Sequence, residues 1–338
     1  MKYTQIGNSG LITSNLTLGT MIFGETSERS TPKKEALSII HKYLDEGGNH
    51  IDTADVYAEG RSEEIVGEAL HGSRRDKTII ATKTRFRTGE GINAEGLSRL
   101  HMIDGVNASL KRLRTDHIDL LYIHCFDPLT PLEETIRTLE DLVRDGKVRY
   151  LGISNFKAWQ LMKAQGLTGL LNTNRFVAAQ YQYSLVKRDL EYEFFDLLAS
   201  EGLGLVPWGP LGGGFLTGKY SRNAPTVGRI ATTPKGNEES WDRRNTEKNW
   251  NIIEKLRQLS EKYGATPSQI SLAWILTKKV VPTVILGVRT IEQLEDNLGA
   301  NKLQLSTEDV ATLDVISKMP ELYPYRVIEE YGRRELGG

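Results

Sequence analysis

Short apolar runs and helix-periodic stretches alternate eight times along this chain. That rhythm limits what it can fold into more tightly than any bulk property. The runs are Leu16–Gly19, His50–Asp52, Thr78–Lys83, Ile118–His124, Arg149–Ser154, Phe176–Gln180, Gly204–Trp208 and Thr283–Leu286. Helix-like stretches follow at 31–46, from Ser62 onward, and at 100–113, 132–144, 157–165, 190–200, 250–263 and 291–300. Apolar runs this short, separated by helices, read as buried parallel strands. Eight such units with no compositional break predict an α/β fold, a (β/α)8 TIM barrel forming a single domain over residues 1–338.

Local signals refine the plan. An N-terminal hairpin is expected from 2–5 and 11–13, around the turn at Gly7–Gly10. Thr31 reads as an N-cap with Pro32 at the first helical position. Ser62 before Glu63 and Glu64 reads as a helix start, with anions at the positive end. Two extra helices are expected at Pro267–Thr277 and Thr307–Ser317, where Thr266/Gln269 and Ser306/Asp309 have capping-box spacing. The polar stretch 221–249 is too long for an ordinary connection and reads as a lid or a disordered segment. The tail 320–338 either wraps across the rim or frays.

Charge is balanced, with 43 basic and 44 acidic residues and a formal net charge of −1. There is no basic excess for nucleic acid and no like-charge block for an interaction tail. The single cysteine, Cys125, cannot form an intrachain disulfide, and no CxxC zinc pattern exists. The opening MKYTQIGNSG has no apolar signal core, and no run nears the ~18 apolar residues of a membrane span. These features predict a cytoplasmic protein with no membrane insertion, no nucleic-acid partner and no metal. The motifs specify neither a particular substrate nor an oligomeric state.

Three apolar runs stop on chemically capable residues: Asp52, Lys83 and His124. Tyr57 follows Asp52 by five positions. In a β/α barrel the carboxyl ends of the strands form the active-site rim. Singly, each residue has a plainer reading: a solvated edge lysine, a satisfied buried histidine, an aspartate that starts a turn. Delivered together to one rim, they form a proton-handling set. A free phenol has a pKa of about 10, and an adjacent ammonium is expected to bring that value down. Asp52 would keep Lys83 charged and in place. Tyr57 could then give a proton to a developing alkoxide, while His124 donates a hydrogen bond to the same substrate oxygen.

The later runs offer a second set. Ser154, Asn155 and Gln180 carry groups suited to a planar amide ligand, although a Ser/Asn turn capping the next helix explains the first two equally well. Trp208 could stack on an aromatic ring or simply pack in the core. The stretch Gly209-Pro210-Leu211-Gly212-Gly213-Gly214-Phe215-Leu216-Thr217-Gly218-Lys219 has the glycines and the charge of a phosphate loop. It lacks both the GxGxxG and Walker patterns, but barrels often bind phosphate after strand seven. Arg289, after Gly287, would suit a second phosphate. Gln293 and Asn297, one turn apart on the next helix, could meet an adenine edge. In chain order this is the anatomy of a dinucleotide lying across a barrel mouth.

The ordered motifs Asn49-His50-Ile51-Asp52-Thr53-Ala54-Asp55-Val56-Tyr57, Ala81-Thr82-Lys83, Asp119-Leu120-Leu121-Tyr122-Ile123-His124, Gly152-Ile153-Ser154-Asn155 and Leu216-Thr217-Gly218-Lys219-Tyr220 resemble the aldo-keto reductase superfamily over roughly residues 1–318. The combination is most similar to the bacterial and channel-subunit-like branches. The resemblance implies NADPH (NADP) as hydride donor to an aldehyde or ketone, or acceptor from the alcohol. It implies a tetrad of Asp52, Tyr57, Lys83 and His124, with Tyr57 and His124 meeting substrate. Ser154, Asn155 and Gln180 would hold the carboxamide and Trp208 would stack on the nicotinamide. Gly19, Thr20, Met21 and Asp52 would also lie by the cofactor. The phosphates would meet Gly209, Pro210, Leu211, Gly213, Leu216, Gly218 and Lys219, with Gly287, Arg289, Gln293 and Asn297 at the adenosine end. Many relatives carry serine where this chain has Gly209, so a hydroxyl contact is lost there and backbone contacts are expected instead.

Two rivals stand beside this reading. One is a regulatory NADP(H)-binding partner resembling potassium-channel β-subunits, weakened here because no arm precedes the hairpin. The other is a lyase using Lys83 as a Schiff-base nucleophile. Asp52 disfavours the second by keeping the amine protonated.

Overall fold

In the computed structural model, residues 1–24, 30–223 and 228–332 are described. Among them, β1 (Tyr3–Gln5) and β2 (Ile12–Ser14) pair antiparallel as the expected hairpin. Eight parallel strands follow: β3 (Leu16–Gly19), β4 (His50–Asp52), β5 (Ile79–Thr84), β6 (Ile118–Ile123), β7 (Val148–Ser154), β8 (Phe176–Gln182), β9 (Gly204–Trp208) and β10 (Val284–Gly287). Their order is β10-β3-β4-β5-β6-β7-β8-β9, with helices between them. β9 and β10 adjoin without a shared ladder. Just before β10, Val280 O accepts from the Leu205 N–H of β9 at 2.7 Å. The result is a nearly closed (β/α)8 barrel.

Side-chain alternation builds two cores from one sheet. Outward residues such as Leu18, Ile51, Ile80 and Ile153 pack under the helices. Inward residues Ala81, Leu120, Tyr122, Ala178 and Val206 fill the barrel. The hairpin plugs its lower end, where Ile6 is fully buried against that inner cluster. Gly7 makes the plug fit. Its φ is +51°, and a Cβ there would lie 2.4 Å from Gly202 O.

Several local expectations need correction. Pro32 is itself the N-cap of the helix Lys33–Asp45, not its first helical residue. Thr31 cannot cap because it is fully buried and bridges to Phe23. Ser62 lies inside the helix Arg61–Ala69, whose N-cap is Gly60. Its hydroxyl bonds instead to Thr20 O (2.9 Å) and Thr20 Oγ1 (2.7 Å). The Thr266/Gln269 capping box is reciprocal. At Ser306/Asp309 only the serine caps, because Lys262 and Tyr263 hold the Asp309 carboxylate. The helix expected at 157–165 continues to Leu170 despite Gly166 and Gly169, carried by buried Leu161, Ala164 and Thr168.

The described part of 221–249 carries short helices at Arg229–Thr232 and Trp241–Arg244, with Ile230, Ser240 and Arg244 buried. Residues 224–227 lie outside the described residues. The tail packs on the barrel flank after β8. The Tyr325 ring stacks on Tyr192 with centroids 5.1 Å apart, and its hydroxyl donates to Glu193 at 3.0 Å. Residues 333–338 of the tail lie outside the described residues. Among the described residues, no helix is long and apolar enough to cross a membrane, and no cluster of His, Cys, Asp and Glu could hold a metal ion.

Candidate active site

Adjacent strands β4 and β5 deliver Asp52 and Lys83 to the same end of the barrel. Both side chains face inward and are buried. Lys83 Nζ donates to Asp52 Oδ1 at 2.5 Å and to Thr53 O at 2.7 Å. Gln180, from the far side of the barrel, donates its amide to Asp52 Oδ2 at 2.7 Å. With both carboxylate oxygens engaged, the pair is held from three strands. Burial alone would lower the Lys83 pKa, but Asp52 and Tyr57 outweigh it and raise the value, so the amine stays charged.

Tyr57 stands on the loop after β4. Lys83 Nζ lies 4.9 Å from the centre of its ring. The loop turns back sharply, with Ala58 and Glu59 at φ +49° and +57°. Beneath it, buried Glu63 takes Arg112 Nε and Thr82 Oγ1 at 2.7 and 2.6 Å. The net shift of the Tyr57 phenol is opposite to expectation. Burial raises its pKa, and Lys83, pulling downward, does not overcome that burial. The phenol is therefore protonated at neutral pH.

His124 follows β6 and lies edge-on to Tyr57, with ring centroids 6.0 Å apart and planes at 77°. Phe86 also packs edge-on against the imidazole, with ring centroids 4.7 Å apart. Burial, aided by the charge of Lys83, lowers the His124 pKa to about 2. The imidazole is neutral, with one N–H to donate. Asn155 fixes the main chain here through Nδ2 to His124 O at 2.8 Å.

The second half of the rim is built differently. Ser154 donates to Gln180 O (2.7 Å) and accepts from Asn155 (3.1 Å), so the candidate amide clamp is cross-linked within itself. Thr20 is fully buried, its hydroxyl donating to Asp52 O at 3.1 Å, while Met21 is exposed. Trp208 is half-buried at the rim. Gly19 and Gly287 pair at the ends of β3 and β10. In the glycine-rich loop, Gly213 and Gly214 have φ of +73° and +90°. Pro210 and Leu216 are buried, and Leu211 and Gly218 are half-buried. Lys219 is exposed, and its pKa is lowered by burial of its stem and by the facing charge of Arg289. Two neighbouring cations suit an anion. Gln293 accepts from Arg289 N–H at 2.9 Å, whereas Asn297 on the same helix is buried. Gln182, Arg229 and Glu239 also converge on this loop, and sequence reasoning did not single them out.

A parallel eight-stranded barrel whose rim holds a buried ion pair against a phenol and a neutral imidazole defines an acid–base barrel. The model of the Aldo/keto reductase family matches residues 15–318, and this chain belongs to that family. It is 36% identical to a probable voltage-gated potassium channel subunit beta of Arabidopsis thaliana, covering 96% of this chain and 98% of the relative. It is 36% identical to the uncharacterized oxidoreductase YrpG of Bacillus subtilis, covering 96% and 100%. It is 31% identical to versiconal hemiacetal acetate reductase of Aspergillus parasiticus, covering 93% and 96%. Family and relatives together support an oxidoreductase of the aldo-keto reductase type.

Proposed function

We propose that this protein is an NADPH-dependent reductase of small aldehydes or ketones, reversible as an alcohol dehydrogenase, in which Tyr57 moves the proton. The observation that carries the reading is the buried Lys83–Asp52 pair lying against Tyr57. Bound nicotinamide would supply the hydride. Tyr57, kept protonated by burial, gives its proton to the substrate oxygen as that oxygen gains charge. Lys83 stabilises the phenolate left behind, and Asp52 holds Lys83 in line. Neutral His124 donates a hydrogen bond to the same oxygen and orients the carbonyl.

The rest of the rim supports a dinucleotide. Lys219 and Arg289 suit its phosphates, and Trp208 suits its nicotinamide ring. Ser154, Asn155 and Gln180 suit the carboxamide, and Gln293 with Asn297 the adenosine end. The described part of 221–249 lies against the glycine-rich loop, supporting its reading as a lid. A cytoplasmic setting is supported by the single cysteine in 338 residues.

Tyr57→Phe is the test. The variant should bind NADPH nearly as wild type does yet lose about 10²–10⁴-fold in turnover of a carbonyl panel. Wild-type turnover would remove Tyr57 as the proton donor. Parallel titration with NADPH and NADH tests the cofactor choice. A second reading, a regulatory subunit that binds the cofactor, is favoured by the channel-subunit relatives. Negligible wild-type turnover on the whole panel, with copurification of a membrane protein, would favour it.

A further inference from the structure

The turn that carries Tyr57 is held by side chains that the proposed chemistry does not use. Tyr57–Gly60 forms one short turn in which Ala58, Glu59 and Gly60 have φ of +49°, +57° and +91°. Alanine and glutamate are unfavourable in this left-handed region and persist there only where their surroundings hold them. One hold is Arg61, whose Nε donates to Gly24 O at 2.9 Å. The other is Arg112, in the last turn of the helix Arg99–Leu113. A Cβ on Gly60 would lie 2.7 Å from Arg112 Cδ and 2.9 Å from its Nε, so the arginine lies directly against the main chain of Gly60. Arg112 is itself fixed. Its Nε and Nη2 both lie 2.7 Å from Glu63 Oε2, and Nη2 donates to Ser109 Oγ at 3.2 Å.

Glu63 is fully buried, and its Oε1 accepts from Thr82 Oγ1 at 2.6 Å. Thr82 is the residue before Lys83 on β5. One carboxylate therefore joins the strand that carries Lys83 to the arginine packed against the turn that carries Tyr57. Hydrogen bonds to an ionised group are short and strong, so this joint resists movement of one end against the other. The geometry it spans is that of the reacting groups, with Lys83 Nζ 4.9 Å from the centre of the Tyr57 ring. A displacement of about 1 Å at such a pair can slow a reaction about a hundredfold, even when its cause lies away from the chemistry. We propose that Glu63 and Arg112 are positioning residues that set the spacing of Tyr57 from Lys83. The proposal rests on the reading of Tyr57 as proton donor.

The test uses the full-length Arg112→Ala variant, with NADPH and para-nitrobenzaldehyde as probes and turnover measured in light and heavy water. Its kcat should fall about 10–100-fold while NADPH affinity stays within about twofold of wild type. The solvent isotope effect on kcat should rise, because a misplaced phenol makes proton transfer the slow step. Should Arg112→Ala not fold, Glu63→Gln carries the same test. Its amide can still bond both Thr82 and Arg112 and loses only the charge, so kcat should fall by about three- to tenfold with the same rise in isotope effect. A wild-type kcat in the folded variant would overturn the proposal. A loss of kcat matched by a loss of NADPH-binding sites, with the isotope effect unchanged, would also overturn it, making the pair a support of the fold alone. If Tyr57→Phe keeps wild-type turnover, or the wild type has none, the proton-donor reading itself fails, a result distinct from these.

Discussion

The two halves of the barrel mouth solve different problems. From β3 to β6 the candidate reacting groups stand on strand ends or within a few residues of them, and the ion pair at their centre is fully engaged. Asp52 has a partner on each oxygen, and Lys83 has two acceptors. From β7 to β10 the candidate binding groups stand mostly on loops and short helices. Buried polar atoms without a partner occur in both halves, among them His124 Nδ1 in the first and Glu239 Oε1, Gln182 Nε2 and Arg244 Nη2 in the second. Proton transfer needs groups fixed to a fraction of an ångström, which packed strand ends provide. A long ligand needs a surface that can open and close around it, which loops provide. The contrast makes the first half intolerant of substitution and the second tolerant.

The strongest attempt to break that contrast is Lys83→Met. It leaves the buried Asp52 without a counter-ion, at a cost of about 3–5 kcal/mol. Turnover should fall by about 10²–10⁴ as well. Removing both charges, in Lys83→Met with Asp52→Leu, should restore much of the stability and none of the turnover. Thermal unfolding separates the two effects. A Lys83→Met protein that melts with the wild type would show that the first half is not held by this pair.

Asp55 gives a pH-dependent version of the same argument. It stands two residues before Tyr57 and is 3% exposed. Burial, and then the nearby Glu63, raise its pKa from 3.8 to about 7, while Thr84, Arg112 and the Val56 backbone act the other way. Below pH 4 the folded and unfolded chains both hold this proton. Between about pH 4 and 7 the unfolded chain has released it and the folded chain has not, so stability falls as pH rises. Above pH 7 the deficit is constant. Each pKa unit is worth about 1.4 kcal/mol, so the full effect is about 4 kcal/mol. Asp55→Asn carries no such dependence. Its melting temperature should gain on the wild type through that window and then run parallel. A constant difference across the window would place Asp55 in contact with water.

What could be read from the chain follows the same division. Asp52, Lys83 and His124 were legible because each ends a short apolar run, and Tyr57 because it follows at a fixed spacing. Barrel order then brings them together without further information. The direction of the Tyr57 shift was not legible, since a sequence shows the nearby lysine but not the depth of burial that outweighs it. Pro32 took the cap because Thr31 is held by Phe23, a contact made by tertiary packing. Gln182 extends the alternation of Ala178 and Gln180, a signal lost by ending the strand two residues early. Glu239 carried no signal, being one acidic residue in a polar stretch. Gly209 looked like a lost hydroxyl contact, yet a Cβ there would lie only 3.0 Å from Glu239 Oε1, so a side chain at this position would crowd Glu239.

The smallest expected effect, and the sharpest check on the tolerant half, is Lys219→Met. Lys219 is exposed, so its charge works through water and is screened by salt. A solvated contact of this kind is worth up to about 1 kcal/mol, or roughly fivefold in NADPH affinity. The loss should be clear in dilute buffer and shrink as salt is added, with kcat nearly unchanged. Fluorescence titration at two ionic strengths measures it. A fall in kcat as large as the rise in KM would mean that Lys219 also helps to align the nicotinamide. The glycine-rich loop would then be part of the rigid reacting end, and the division of the mouth would have to be redrawn after β8.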